Sequence, residues 1–149
     1  MTREYPERPV VGVGVVVLGD QGVLLIRRGK PPREGEWSLP GGAQKLDETV
    51  FEAAARETWE ETGLDVDVLG LVDVVDSICR DEEGRVQYHY TLIDVVAVSR
   101  GGELRPGADA ADVRWVPLDD VRGLGLWSET ERIIKLADEM HRALDDAGG

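Results

Sequence analysis

Residues 42–64 read GAQKLDETVFEAAARETWEETGL, and the rest of the chain is best understood outward from them. Thr49 with Glu52 three positions on makes a capping box that starts a helix. Phe51, Ala54, Ala55 and Thr58 give an apolar stripe at helical spacing, with Trp59 expected as a packing anchor. Gly63 is placed to end the helix in the left-handed conformation, with Leu64 as the hydrophobic residue beyond it. Glu57, Glu60 and Glu61 stand at i, i+3 and i+4, so three carboxylates leave one face of the last turns. Like charges at that spacing cost about 0.2–0.5 kcal/mol per pair. The helix dipole adds about 0.3–1 kcal/mol against each carboxylate at this end. A solvated acidic face is the plain reading of any one pair. Clustered hard oxygens are also what magnesium or manganese requires, and a bound cation reverses the sign of the repulsion.

Around this helix, residues 10–18 and 23–28 are β-rich runs joined by Gly19-Asp20-Gln21-Gly22, a hairpin signal. Residues 30–36, with Pro31, Pro32 and Gly35, form a loop. Trp37-Ser38-Leu39 is a short extended piece stopped by Pro40-Gly41-Gly42. Residues 66–78 and 86–98 are long strands around a charged turn at 80–85; residues 113–116 are a short strand and 129–144 a closing amphipathic helix. Strands and helices interleave without a regular βαβ repeat. That predicts an α/β fold, helices packed on a mixed sheet, as a single domain over 1–149 with its core at about 10–144.

The 149 residues carry 17 basic and 30 acidic side chains, a formal charge of −13, which is a poor start for binding a nucleic-acid polymer. The charge is uneven: five acids and six bases over residues 1–41, six and two over 42–64, nineteen and nine over 65–149. Arg27, Arg28, Lys30 and Arg33 bunch just ahead of the acidic stretch and suit a small anionic ligand. Cys79 is the single cysteine, which excludes an internal disulfide and a cysteine-based zinc cluster. No run approaches the roughly twenty apolar residues of a membrane span, so no membrane partner is expected. Met1-Thr2-Arg3-Glu4 has no signal-peptide layout, and a cytoplasmic protein is the expectation.

Gly42, five residues, Glu48, seven residues, Arg56-Glu57, two residues, Glu60-Glu61, one residue, Gly63-Leu64: at these spacings the chain resembles the Nudix hydrolases, which cleave a nucleoside diphosphate linked to another moiety. Trp37-Ser38-Leu39-Pro40-Gly41-Gly42 before the box and Arg114-Trp115-Val116-Pro117-Leu118 late in the chain extend the likeness over residues 10–144. The resemblance implies an α/β/α sandwich and a Mg²⁺ ion, with Mn²⁺ as a substitute, held by Glu57, Glu60, Glu61 and the backbone carbonyl of Gly41. It implies in-line attack of water on phosphorus, with Glu57 or a loop acid, Asp109 or Asp112, taking the proton. Arg56 would orient Glu48 or Glu57 through a charge-assisted hydrogen bond, and Glu48 would be a supporting carboxylate with a capping contribution. Arg27 and Arg28 close a strand, so alternation sends them to opposite faces and one of them toward substrate phosphates. Thr58 stands where the family prefers an aliphatic residue, and Asp47 where many members have glycine.

Members with this Trp-Ser-Leu-Pro-Gly-Gly segment are often ADP-ribose pyrophosphatases, so the resemblance implies ADP-ribose or a similar sugar nucleotide as substrate. The proline that marks ADP-ribose enzymes beyond the box is missing, as is the tyrosine of dinucleoside polyphosphate enzymes. A house-cleaning enzyme for oxidised nucleoside triphosphates is the alternative. A nucleotide sensor without turnover is a third, disfavoured by the intact set of glutamates. A homodimer is expected from the resemblance alone. Gly12-Val13-Gly14 is no dinucleotide fingerprint, because Val17 holds the third glycine's position. Tyr88 and Tyr90, like Trp115 and Trp127, are expected in the core, and no catalytic role is expected of His89, His141 or Cys79.

Overall fold

A computed structural model describes residues 3–31 and 33–148; Met1, Thr2, Pro32 and Gly149 lie outside the described residues. Strand β1 (Val10–Gly19) is the axis of the sheet. Successive side chains of a strand point to opposite faces, and β1 feeds two separate cores. Val13, Val15 and Val17 pack on one side, Val16 and Leu18 on the other. A strand buried on both faces reads as an unbroken apolar run, which is why residues 10–18 show no alternation.

Strand β2 (Gly22–Arg28) pairs with the end of β1 through the Gly19–Gly22 hairpin, and β3 (Trp37–Ser38) lies outside β2. The start of that same edge of β1 is taken by β4 (Gly41–Ala43), in register Gly12↔Ala43 to Gly14↔Gly41. The sheet therefore forks beside β1. Helix α1 (Val50–Thr62) follows β4 and covers one face with Ala53 and Ala54. Strand β5 (Leu64–Arg80) pairs antiparallel with β6 (Val86–Gly102), and β6 runs parallel to β1 from Val10↔Tyr90 to Leu18↔Val98. Strand β7 (Ala110–Val116) pairs with β2. A 3-10 segment (Leu118–Leu124) leads to α2 (Ser128–Gly148), which covers the second face with Ile133, Ile134 and Ala137. The result is the expected α/β/α sandwich on a mixed sheet. No helix among the described residues is long and apolar enough to cross a membrane.

The box helix begins and ends as its sequence predicts. Thr49 Oγ1 accepts from the Glu52 N–H at 3.1 Å and Glu52 Oε1 accepts from the Thr49 N–H at 3.0 Å. Gly63 takes φ 78° and donates to the Trp59 carbonyl at 2.9 Å. The buried face differs from the expected stripe. Phe51 is 45% exposed and Trp59 49%, and the contact with the sheet is made by Ala53, Ala54, Thr58 and Thr62. These small side chains let the helix approach closely, and both threonines are satisfied: Thr58 donates to the Ala54 carbonyl at 2.8 Å, Thr62 to Thr58 at 2.6 Å. Trp59 instead lies beneath the Arg105 guanidinium, 5.7 Å from its ring centre. Asp47 has φ 69°, which explains glycine at that slot elsewhere in the family and the tolerance of aspartate here. Strand β5 outruns its expected bounds at both ends and β6 at its C-terminal end, where the exposed Ser99, Arg100, Gly101 and Gly102 carry no apolar signal.

A Cβ at Gly63 would strike the Glu103 carbonyl as well as force a left-handed alanine. Gly63→Ala is expected to lower the unfolding free energy by about 1–3 kcal/mol in a urea titration, with the circular dichroism spectrum of the folded state retained.

Candidate active site

Strand β4 and the C-terminal half of α1 meet at the fork, and their contact sets the geometry of the glutamates. A Cβ on Gly42 would lie 2.5 Å from the Glu57 carboxylate, so only glycine leaves room for that side chain over the strand. Glu61 reaches the neighbouring residue, where its Oε2 accepts from the Gly41 N–H at 3.2 Å.

Arg56 binds the acidic cluster together. Its Nε donates to Glu48 Oε2 at 2.6 Å, Nη2 to Glu48 Oε1 at 3.0 Å and to the Ala43 carbonyl at 3.1 Å, and Nη1 to Glu57 Oε1 at 2.8 Å and Glu60 Oε2 at 3.2 Å. Glu48 also accepts from the Lys45 N–H at 2.9 Å. The Arg56 fork, helped by that backbone donor, pulls the Glu48 carboxyl down to about 2. Glu61 is pushed the other way, up to about 8, by desolvation first and then by the charges of Glu57 and Asp109, against the Gly41 N–H and Arg28.

This donor set fits a divalent cation. Arg56 and Gly41 engage one oxygen each of Glu57, Glu60 and Glu61, which leaves the second oxygen of all three without a hydrogen bond among the described residues. Among the described residues no three acidic side chains are already drawn around a common point. Glu60, 46% exposed, has the freedom to turn inward and close such a set.

From the glutamates a cleft of about 700 Å³ runs over the part of the sheet that α2 leaves uncovered. Gly12, Gly14, Leu92 and Asp94 form its floor, and Tyr88, Tyr90, Trp37 and Trp127 line it further. Tyr88 and Tyr90 are thus cleft residues, half-buried, and not core as expected. Arg28 lines the cleft, whereas Arg27 is exposed outside it and donates to the Gly35 carbonyl at 3.1 Å. Asp109 lines the cleft and pairs with Lys30 at 2.7 Å. Asp112 is not among the lining residues and turns to Arg114 at 3.1 Å. Sequence reasoning passed over Asp94, although an acid inside the run Leu92-Ile93-Asp94-Val95-Val96 was a visible irregularity. It is 5% exposed, and its carboxyl is raised to about 6 by burial, with Asp73 and Glu129 adding to the shift and Arg132 opposing it.

The NUDIX domain family model matches residues 8–137. The "ADP-ribose pyrophosphatase" of Methanocaldococcus jannaschii is 39% identical over 127 residues, 85% of this chain and 72% of that protein. The crystal structure of a MutT NUDIX hydrolase from Burkholderia pseudomallei matches with a TM-score of 0.75 at 32% identity, over 87% of this chain and 98% of that one. The NUDIX domain of Shewanella oneidensis NrtR, crystallised with ADP ribose, matches with a TM-score of 0.69 at 26% identity, over 91% and 90%. The chain belongs to the Nudix family and is a pyrophosphohydrolase of that family, whose members act on small nucleotides and generally depend on a divalent metal.

Two outcomes follow from the geometry. Arg56→Lys keeps the charge and loses the fork, so it is expected to cost about 1.5–3 kcal/mol in chemical denaturation and to lower turnover by releasing Glu57 and Glu60. Asp94 has its folded value near 6 against an ordinary value near 4, so between those pH values the folded chain holds a proton that the unfolded chain has lost. Its charge therefore destabilises the fold increasingly as pH rises through that window, by up to about 3 kcal/mol above it. Asp94→Asn is expected to be the more stable protein at pH 7.5, with the advantage gone by about pH 4, as read from urea midpoints across pH.

Proposed function

We propose that this chain is a Mg²⁺-dependent hydrolase of ADP-ribose or a closely similar nucleoside diphosphate sugar, releasing a nucleoside monophosphate and a sugar phosphate. The observation that carries this reading is the layout of the cleft. Carboxylates gather at one end, and a trough lined by aromatic side chains and glycine leads away from them, with space for organic groups beyond a diphosphate. The name of the Methanocaldococcus relative and the ADP ribose bound to the NrtR domain support the same substrate class.

Glu57, Glu60 and Glu61, with the Gly41 carbonyl, would hold the cation. When bound, it supplies neutralisation of the diphosphate and activation of the attacking water. Arg28 and Lys30, at the cleft beside the glutamates, draw the phosphate oxygens in and fix their direction. Glu57, kept in place by Arg56 and by the bare backbone of Gly42, takes the proton of the water as its oxygen bonds to phosphorus. The bridging P–O bond breaks, and the leaving phosphate carries the electron pair away. Asp109 is the second base in reach of the cleft; Asp112, committed to Arg114, is set aside. Glu48 acts at one remove, through Arg56.

Incubation with Mg²⁺ and a panel of nucleotides, with products identified by chromatography, is expected to show AMP and ribose 5-phosphate from ADP-ribose. Pyrophosphate released from nucleoside triphosphates, with ADP-ribose untouched, would move the assignment to a nucleotide-cleansing enzyme. Binding without turnover of any compound would make it a sensor. The Glu60→Gln/Glu61→Gln double variant is expected to lose at least about a hundredfold in kcat while keeping its fold. Full activity in that variant would remove the metal assignment.

A further inference from the structure

We propose that Asp94 determines base specificity: its carboxylate accepts a hydrogen bond from the exocyclic amino group of a purine lying on the cleft floor. Asp94 is 5% exposed, yet it accepts no hydrogen bond from any described residue. Among the described residues no unbonded side-chain oxygen is sealed from solvent, so the carboxylate opens onto the cleft that it lines. Arg132, whose charge acts on Asp94, is committed elsewhere, to Asp73 at 2.9 Å and Glu129 at 2.7 Å. Burial of an unpartnered carboxylate destabilises the fold, and its raised titration reflects that cost. Packing alone does not call for a charge here, because Val96 fills the next position on the same face of β6 with an apolar side chain.

The surroundings fit a planar ring. A Cβ on Gly14 would collide with Asp94 Oδ1, and one on Gly12 would press on Leu92 at 2.9 Å, so the two glycines keep this floor flat. Leu39, Leu92 and Tyr90 add apolar surface beside it. The register places Asp94 opposite Gly14 and Gly14 opposite Gly41, so the Asp94 backbone stands two strand spacings, about 10 Å, from Gly41, while its carboxylate leans over Gly14 toward the glutamate end. The inference rests on the nucleotide-hydrolase reading at this point, since it takes the phosphates to lie at that end. A pentose bridges part of the span, and the group that reaches Asp94 is the base. An ionised carboxylate only accepts hydrogen bonds. It favours the 6-amino group of adenine over the keto oxygen that hypoxanthine has there, and the 2-amino group of guanine over the hydrogen that hypoxanthine has in that place.

Titration of the protein with AMP, GMP and IMP in Mg²⁺, followed by isothermal calorimetry, tests this without turnover. The wild type is expected to bind AMP or GMP at least about tenfold more tightly than IMP. A preference for AMP places the contact at the 6-amino group, and one for GMP at the 2-amino group. Asp94→Ala is expected to bring the favoured nucleotide down to the level of IMP. Asp94→Asn, whose amide can also donate, is expected to narrow the gap by improving IMP. Equal affinity of all three for the wild type, absence of binding by any of them, or a preference unchanged in Asp94→Ala overturns the proposal, as does a parallel loss for all three nucleotides. Preference for an amino purine with ADP-ribose left intact would keep Asp94 in this role and discard ADP-ribose as substrate.

Discussion

A guanidinium set among carboxylates holds this molecule's working end together. Without it, Glu57, Glu60 and Glu61 would crowd like charges onto one face of α1 at the end where the helix dipole is also negative. Arg56 meets both problems with one planar group: it bonds Glu57 and Glu60 on its own helix and Glu48 on the loop ahead of it. The bond to the Ala43 carbonyl carries the same group onto β4. Helix, loop and strand thus meet on one side chain, 20% exposed, where partial exclusion of water strengthens each bond. Lysine has the charge and lacks the fork, so its ammonium could not span the same partners at once.

The second constraint is the divided edge of β1. Because β4 takes its first residues and β2 its last, the sheet opens at the point where α1 presents its glutamates. The same strand changes character along its length. Val16 and Leu18 bury themselves under α2, while Gly12 and Gly14, on the same face, offer bare backbone to the cleft. One strand therefore supplies both the core and the floor of the site, and the switch between them is a change from branched side chains to none.

Features governed by near neighbours were legible in the sequence. The capping box, the Gly63 terminus and the β1–β2 hairpin each depend on a few residues close in the chain, and each was located correctly. Features set by distant partners were not. Pro40-Gly41-Gly42 reads as the stop of an extended piece because two glycines have no strand preference of their own; pairing with β1 makes Gly41–Ala43 a strand. Phe51 and Trp59 outweighed Ala53 and Thr62 on hydrophobicity, but the close approach of α1 to the sheet favours small side chains. Alternation predicts that Arg27 and Arg28 part, and which of them lines the cleft depends on where β3 and β7 lie against β2. Tyr88 and Tyr90 were assigned to the core because nothing local shows that α2 stops short of them.

The acidity of the chain and the anionic nature of its substrates are reconciled at the scale of the cleft. Thirty acids against seventeen bases describe the whole molecule. Among the described residues the cleft is lined by eight acids and six bases, Arg28, Lys30, Arg33 and Arg56 included, so their formal charge is −2 and not −13. A single divalent cation brings that wall to neutrality. Charges farther out than about 8–10 Å are largely screened at physiological ionic strength, so the acidic remainder of the surface has little hold on a diphosphate already inside. Specificity then falls to groups that act at contact distance, and in the cleft Asp94, buried and without a donor among the described residues, is such a group.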